Sequence, residues 1–262
     1  MLVLGSGSAG NAIVLESKDG RLLIDAGFSC RELEHRLRSV GVEPRTLGAL
    51  VLTHEHQDHC RGAARFAHRH RIPVFATAGT FGARTLRPIA DRRVIRAGAP
   101  FEVAGFELVP FVVPHDAREP VGLVAEDSSG HRLAVVSDLG SFEPAAQVRL
   151  VDLDVLVIET NHDPEMLRTG PYPHLLKRRV AGERGHLSNP DAALGLGRVL
   201  DDALHTVVLY HLSRVNNLPA LAREAIAEAV DRLGSAARLV VSDQFRCSEW
   251  IELDRSGGAV CQ

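Results

Sequence analysis

Three histidines and one aspartate within six residues constrain this chain more than any other feature. The segment 53–59 reads Thr-His-Glu-His-Gln-Asp-His, and it lies between an apolar run at 47–52 and a predicted helix at about 59–70. A loop between a strand and a helix can point all four side chains into one cavity, whereas a continuous helix or strand could not. Imidazole and carboxylate groups together suit zinc, manganese or iron. We therefore predict a metal centre here rather than a polar surface turn that contains histidines.

Composition places the chain among ordinary globular proteins. Of its 262 residues 45% are hydrophobic and 24% are charged, and no apolar run approaches the roughly 20 residues that span a bilayer. The first residues lack the basic stretch and the cleavage site of a signal peptide. The four cysteines are scattered without a C-x-x-C pair, which favours a reducing cytoplasm. The net charge of −3 gives no global attraction to nucleic acid.

Short strands alternate with helices along the chain, and we predict a single α/β domain over residues 1–262. Strands are predicted at 2–4, 12–16, 21–24, 47–52, 73–76, 154–159, 206–210, 238–242 and 249–253, with mostly β-structure over 94–137. Helices are predicted at 29–40, 59–70, 175–180 and 219–233. The segment 160–189, rich in proline, glycine and basic residues, is predicted to be an insert at the mouth of a site.

The histidine run resembles the T-H-x-H-x-D-H motif of the metallo-β-lactamase superfamily. That superfamily also expects a later His, a later Asp and a final His at strand ends, and His115, Asp138 and His211 each follow a predicted strand. The resemblance implies a four-layered αββα sandwich and a centre of two divalent metal ions. It assigns the ligands as follows: His54, His56 and His115 on one metal, Asp58, His59 and His211 on the other, and Asp138 bridging both. It also places Asp25 behind the ligand loop as a supporting residue.

Two divalent cations define the chemistry that the resemblance implies. A water held between them loses a proton near neutral pH, and the same charge stabilises a developing oxyanion. Asp58, besides acting as a ligand, is a candidate for orienting or deprotonating that water. The chain is therefore predicted to be a metal-dependent hydrolase.

A pair of residues between the bridging Asp and the final His points to phosphodiesters. Glu159 ends a predicted buried strand, and His186 opens the turn 185–189. In the tRNA 3′-processing nucleases, which this order of residues resembles, a Glu-His pair donates a proton to the leaving oxygen, as a strongly basic alkoxide requires. The alternatives are a surface salt bridge for Glu159 and a helix cap for the 185–189 turn.

Two further features suggest contacts with a substrate strand. His211 begins an H-x-S motif, like that of the phosphodiesterase branch, followed by paired asparagines, and the insert carries basic residues near Tyr172 and His174. The candidate substrate-binding residues are Lys177, Arg179, Ser213, Asn216 and Asn217. A solvated basic helix face explains the lysine and arginine equally well.

Longer stretches resemble one subfamily, the YycJ (WalJ) group of bacterial metallohydrolases. The matching segments are 5–11, 159–163, 166–179, 185–189 and 211–217. The group consists of manganese-dependent 5′-to-3′ DNA exonucleases with a proposed place in mismatch repair, so the resemblance implies DNA as the substrate. The glycine-rich loop at 5–11 is expected to connect two strands tightly near the site, with phosphate contact secondary.

Other functions remain open from the residues alone. A phosphodiesterase acting on a small or cyclic nucleotide, or another small-molecule metallohydrolase, would require a closed pocket and show no dependence on DNA length. A non-catalytic scaffold of the same fold would be purified without metal, although the complete ligand set argues against it. The donor set suits both zinc and manganese.

Overall fold

A computed structural model of the chain describes residues 1–142, 150–199, 201 and 203–253. The first sheet contains, in spatial order, β1 (Leu2–Gly5), β2 (Ala12–Ser17), β3 (Gly20–Ile24), β4 (Ala49–Val51), β5 (Val74–Thr77) and β6 (Arg92–Ile95). Strands β1 to β3 are antiparallel, and β3 to β6 are parallel.

The second sheet follows the chain in the same stepwise manner. It contains β7 (Phe101–Val103), β8 (Phe106–Val112), β9 (Val121–Asp127), β10 (Arg132–Val136), β11 (Val155–Glu159), β12 (Thr206–Tyr210) and β13 (Arg238–Val241). Strands β7 to β10 are antiparallel, and β10 to β13 are parallel. The second sheet therefore changes from antiparallel to parallel pairing at β10.

Helices lie between these strands in the chain. They are α1 (Cys30–Ser39), α2 (Gln57–Cys60), α3 (Ala63–His70), α4 (Ala78–Phe81), α5 (Pro164–Thr169), α6 (His174–Val180), α7 (Asn189–Leu196) and α8 (Pro219–Arg232). Single 3-10 turns occur at Pro44–Thr46 and Arg84–Leu86. No helix in the described part of the chain is both long and apolar enough to cross a membrane.

Three separate hydrophobic clusters define the layers. Because successive side chains of a strand point to opposite faces, neighbouring residues enter different clusters. In β2, Val14 packs with α1 and α3, while Ile13 packs between the two sheets. In β12, Val208 packs between the sheets, while Val207 packs with α7 and α8. The predicted α/β class and αββα layering are therefore confirmed.

Several strands end at the same edge of the sandwich, and this edge carries the predicted site. Parallel strands present their carboxyl ends together. Strand β4 leads into the histidine run, β10 into Asp138 and β12 into His211, while Glu159 ends β11. The local sequence favours this arrangement, because polar residues follow the apolar residues at the carboxyl end of each of these strands.

Two local predictions need correction. The predicted helix 59–70 is divided into α2 and α3 by a turn at Arg61 and Gly62, and a Cβ at Gly62 would lie 2.2 Å from the carbonyl oxygen of Phe28. The predicted strand 249–253 is not a β-strand. Its pairing is limited to a reciprocal contact with the start of the chain: Ile251 exchanges hydrogen bonds of 2.7 and 2.8 Å with Met1.

The turn after β3 packs directly on the histidine run. Gly27 donates its N–H to the carbonyl oxygen of Asn11 at 3.0 Å, and a Cβ at Gly27 would lie only 1.7 Å from the carbonyl oxygen of Asp58. This close approach explains why a glycine follows Asp25 and Ala26 in the sequence. No side chain fits between the turn and the loop that it supports.

Replacing Gly27 is therefore expected to disrupt the loop. Gly27→Ala should lower the free energy of unfolding by about 3 kcal/mol or more, because the added methyl group overlaps the backbone carbonyl of Asp58 in a tightly packed loop. Urea denaturation measures the change. Gly197→Ala is the matched control, since its Cβ would meet nothing closer than 3.5 Å. Equal stability of the two variants would show that the turn is not packed as described.

Candidate metal centre

The structure brings all the predicted metal ligands together at the strand ends. Ligand atoms of His54, His56, His115 and Asp138 lie within 4.8 Å of one another. Those of Asp58, His59, Asp138 and His211 form a second such group. The groups share Asp138 and correspond to the two ligand sets expected from the sequence, so the geometry is compatible with that assignment.

Asp138 lies between the two groups and presents one oxygen to each. Its Oδ2 is 3.5 Å from His54 Nε2 and 3.6 Å from His115 Nε2. Its Oδ1 is 3.3 Å from His59 Nε2 and 3.1 Å from His211 Nδ1. A carboxylate with both oxygens facing nitrogen donors in this way is suited to bridge two cations.

Unpaired buried atoms test whether cations fit here. His54 Nε2 and Asp138 Oδ1 are both buried, and although charged neighbours lie within 3.5 Å of each, neither atom has a partner with hydrogen-bond geometry among the described residues. An unpaired buried polar atom ordinarily costs about 1–3 kcal/mol. Both atoms point into the ligand groups, where a cation would satisfy them. The donor chemistry, imidazole with carboxylate, also fits a divalent transition metal.

Asp25 and Thr53 hold two of the imidazoles from behind. Asp25 Oδ2 lies 2.7 Å from His59 Nδ1, and its carboxylate accepts hydrogen bonds from the backbone N–H and hydroxyl of Thr53. The same hydroxyl lies 3.1 Å from His54 Nδ1. Because Nδ1 of each imidazole makes one of these contacts, Nε2 is the nitrogen that remains to bind a metal ion. Asp25 therefore occupies the supporting position that the sequence suggested.

The other side of the centre repeats this arrangement. His115 Nδ1 lies 3.0 Å from the carbonyl oxygen of Gly185, and His211 Nδ1 lies 2.8 Å from Glu159 Oε1. His56 differs, since its Nδ1 faces the centre at 3.2 Å from His115 Nε2. Outer partners thus orient both histidines that come from late in the chain.

Three residues of the site have a left-handed backbone that the sequence did not indicate. The φ angles are 60° at Asp25, 53° at Asp138 and 57° at His211. Non-glycine residues adopt this region rarely, at a cost on the order of 1–3 kcal/mol each. The conformation occurs within two residues of the end of each preceding strand. Aspartate and histidine tolerate it better than most residues, which is the only sequence signal.

Charge is distributed unevenly between the two groups. Burial and the neighbouring His59 lower the pKa of His54 well below its usual range, so its imidazole is neutral. Burial would also lower the pKa of His211, but Asp138 and hydrogen bonds to Asp58 and Glu159 raise it to about 10. A cation binding beside His211 must therefore displace a proton.

Glu159 joins the predicted acid pair to the metal centre. Its carboxylate is fully buried, and Oε1 lies 2.8 Å from both His186 Nδ1 and His211 Nδ1. Oε2 accepts hydrogen bonds from the backbone N–H groups of Leu139 and Leu187. Burial would raise the pKa of Glu159, but the two histidines outweigh it and lower the pKa to about 2. The side chain is thus a fixed anion, and the alternative of a surface salt bridge does not apply.

His186 is the partner that faces outward. It lines a cleft of about 360 Å³ that is also lined by Asp58, Asp138 and His211. Burial would lower the pKa of His186, but Glu159 raises it above its usual value. Because Nδ1 is held by Glu159, Nε2 is the nitrogen left for a ligand in the cleft.

The segment 160–189 borders the same cleft. Tyr172, Leu176 and Arg179 line it, and Arg179 Nε lies 2.5 Å from Asp116 Oδ2. Lys177 does not line it, because its ammonium group donates to the carbonyl oxygen of Arg168 at 2.7 Å. Of the two basic candidates, only Arg179 is brought to the site.

The three polar candidates that follow β12 also differ in position. Ser213 lines the cleft. Asn217 forms a reciprocal amide pair with Asn189, at 2.9 Å in both directions, and donates to the carbonyl oxygen of Thr160. Asn216 is buried, and its backbone N–H bonds to Ser213 Oγ. Neither asparagine is among the described residues that line the cleft, so both shape the loop.

Sequence reasoning did not single out Asp116 or Asn11. Asp116 Oδ1 lies 3.5 Å from His115 Nε2, so this carboxylate lies between the centre and Arg179. Asn11 Nδ2 lies 3.0 Å from His59 Nε2, which places the glycine-rich loop against the ligands. The His-Asp dipeptide at 115–116 was a weak signal for the first, since such pairs are common in turns.

Comparison with known proteins finds a matching family profile and similar curated proteins. The profile of the beta-lactamase superfamily domain matches residues 20–212. Exodeoxyribonuclease YycJ of Bacillus anthracis is 32% identical over 236 residues, covering 88% of this chain and 89% of the relative. Exodeoxyribonuclease WalJ of Streptococcus pneumoniae is 32% identical over 228 residues, covering 84% of each protein.

A solved structure shows the same architecture. The metallo-β-lactamase fold protein YhfI of Bacillus subtilis superposes with a TM-score of 0.73 at 16% identity, covering 94% of this chain and 97% of that one. Identity at this level supports the fold alone. The predicted metallo-β-lactamase fold is confirmed.

Metal content provides a test of the two ligand groups. The wild-type protein should bind two divalent ions, as measured by inductively coupled plasma mass spectrometry after dialysis. Occupancy should fall as the pH is lowered, because protons compete for the imidazoles, with His211 protonated up to a pKa of about 10 in the metal-free protein. His54→Ala should lose about one ion, since one group keeps its ligands.

His68→Ala is the matched control, because His68 is an exposed histidine on α3. It should retain the wild-type metal content. Full occupancy in His54→Ala, or an equal loss in both variants, would contradict the ligand assignment.

Proposed function

Because the chain belongs to the β-lactamase superfamily, in the family of the exodeoxyribonucleases YycJ and WalJ, we propose that it is a metal-dependent 5′-to-3′ exonuclease of DNA. The observation that carries the proposal is the contact of Glu159 with both His186 and His211, at 2.8 Å each. It supports His186 as a candidate acid beside the proposed metal ligands. A phosphodiester needs such an acid, because its leaving alkoxide is strongly basic.

Two divalent ions, held by the ligand groups that share Asp138, would supply an activated water and positive charge towards the phosphoryl oxygens. Asp58 is the ligand best placed to act on that water. Its Oδ2 lies 3.2 Å from His211 Nε2, and the side chain also lines the cleft. We assign it the role of orienting the nucleophile and accepting its proton.

His186 acts as the general acid in this proposal. Glu159 holds Nδ1 and favours the protonated imidazole, which leaves Nε2–H to donate to the departing oxygen. Glu159 itself is buried and does not line the cleft, so it acts through His186 as a positioning residue. The Glu159 carboxylate also holds His211. A single anion therefore fixes the proposed acid, His186, relative to the proposed metal ligand, His211.

Arg179 and Ser213 are the residues that we assign to the substrate phosphates. Both line the cleft, and the guanidinium can exchange Asp116 for a phosphate with bidentate geometry. Lys177 contacts Arg168 instead, so we no longer assign it a direct phosphate contact in this conformation. Asn216 and Asn217 hold the loop that presents Ser213.

The cellular setting is part of the same proposal. We assign a role in DNA repair and a cytoplasmic location, which the names of the relatives and the scattered cysteines support. Zinc and manganese are the ions that the histidine-rich donor set favours.

A small or cyclic nucleotide is the second candidate substrate. The cleft volume of about 360 Å³ falls within the range of small-ligand sites, which favours this alternative. It predicts hydrolysis that does not depend on the length of a DNA strand.

The proton donor can be tested by changing the leaving group. On a DNA oligonucleotide, His186→Ala should lower kcat by about 10²–10⁴-fold, because the alkoxide leaves unprotonated. On thymidine 5′-(4-nitrophenyl phosphate) the loss should be under about tenfold, since nitrophenolate needs no proton. Steady-state kinetics of both substrates measures the difference.

His174→Ala provides the control, because this exposed histidine lies on α6 in the same segment. The metal content of each variant is measured alongside its kinetics. Equal losses on the two substrates, with metal retained, would remove His186 from the acid role. Wild-type hydrolysis of cyclic nucleotides but not of DNA would favour the second candidate.

A further inference from the structure

Phe245 is conspicuous because it lies on the surface. Its side chain is 64% exposed, and it is the only one of the nine phenylalanines, all within the described residues, that counts as exposed. An isolated exposed aromatic has an ordinary explanation unless its surroundings favour a ligand. Here three independent contacts fix its position and its neighbours.

The loop that carries Phe245 is pinned in place. Asp243 Oδ1 accepts hydrogen bonds from the backbone N–H of Phe245 at 2.6 Å and from that of Arg246 at 2.9 Å. The buried Gln244 side chain accepts from the N–H of Ala9 and donates to the carbonyl oxygen of Gly10, at 2.8 Å each. The ring is therefore presented from a rigid turn attached to the glycine-rich loop.

The positively charged side chain of Arg214 lies over the Phe245 ring. The guanidinium carbon of Arg214 lies 4.8 Å from the centroid of Phe245. Arg214 is exposed, and no carboxylate among the described residues forms an ion pair with it. The pair thus combines a flat apolar surface with an uncompensated positive charge.

The pair adjoins the cleft along both of its chain segments. Ser213, which directly precedes Arg214, lines the cleft. Ser8 also lines it, and Gln244, which precedes Phe245, accepts a hydrogen bond from the backbone N–H of Ala9, which follows Ser8. The chain segments that carry Arg214 and Phe245 therefore border the cleft, outside the set of residues that line it.

We propose that Phe245 and Arg214 form a stacking platform for an unpaired base of a DNA strand whose scissile phosphate lies at the metal centre. The inference rests on the proposed function and names a binding site outside the cleft. Bases stack on aromatic rings and on guanidinium planes without sequence preference, and the arginine charge attracts the adjacent phosphate. Because a paired base is already stacked, the platform selects single-stranded substrate at this position.

Binding of a phosphorothioate-linked single-stranded oligonucleotide, which resists cleavage, tests the platform independently of catalysis. Fluorescence anisotropy with the metal-loaded protein gives the Kd. Phe245→Ala should raise it about tenfold, whereas Phe245→Trp should keep it within about twofold. Arg214→Ala should also weaken binding and reduce the slope of log Kd against log salt by about 1.

Leu194→Ala is the matched control, because Leu194 is an exposed apolar residue (62%) on α7. On an oligonucleotide with abasic nucleotides, wild type and Phe245→Ala should converge, since no base remains to stack.

An unchanged Kd in Phe245→Ala, or an equal effect on the abasic strand, would overturn the platform. Failure of the wild-type protein to bind the oligonucleotide would overturn it as well. Wild-type hydrolysis of unmodified DNA is scored separately, so the platform can fail while the proposed exonuclease activity stands.

Discussion

The buried carboxylate of Asp138 is the interaction on which the site depends. It is 1% exposed and has imidazole nitrogens of four histidines within 3.6 Å. Burial would raise its pKa, but His211 and His59 outweigh that and lower the pKa well below the usual range. An anion so placed costs several kcal/mol unless positive charge surrounds it. It therefore supports both ligand groups, each of which would lose its shared oxygen donor without it.

The sandwich brings the other candidate ligands to this anion. Strand ends from both sheets meet at one edge, and the left-handed turns at Asp25, Asp138 and His211 aim side chains inward. Their strain is balanced by hydrogen bonds that each turn makes possible, such as the one that Asp25 Oδ2 accepts from His59 Nδ1. Catalytic geometry is thus built from rigid strand ends, with the glycine-rich loop and segment 160–189 closing the cleft around them.

Much of this arrangement could be predicted from the sequence, because the relevant signals are local. The polar run 54–59 after an apolar strand, and the same pattern before His115 and His211, indicated where side chains would converge. Outside such strands, the neighbouring residues in the sequence do not determine which way a side chain points. Lys177 and Asn217 therefore looked like substrate contacts, while their bonds to Arg168 and Asn189 depend on tertiary packing. Phe245 shows no periodicity and was missed for the same reason.

Digestion of end-labelled DNA tests the central claim most directly. With manganese or zinc, the wild-type protein should release a 5′-label as short products from the outset and shorten a 3′-labelled strand progressively. His56→Ala should abolish both, because it removes a donor from one ligand group while leaving the strands that carry it intact. Undiminished digestion by His56→Ala would contradict a hydrolase built on this metal centre.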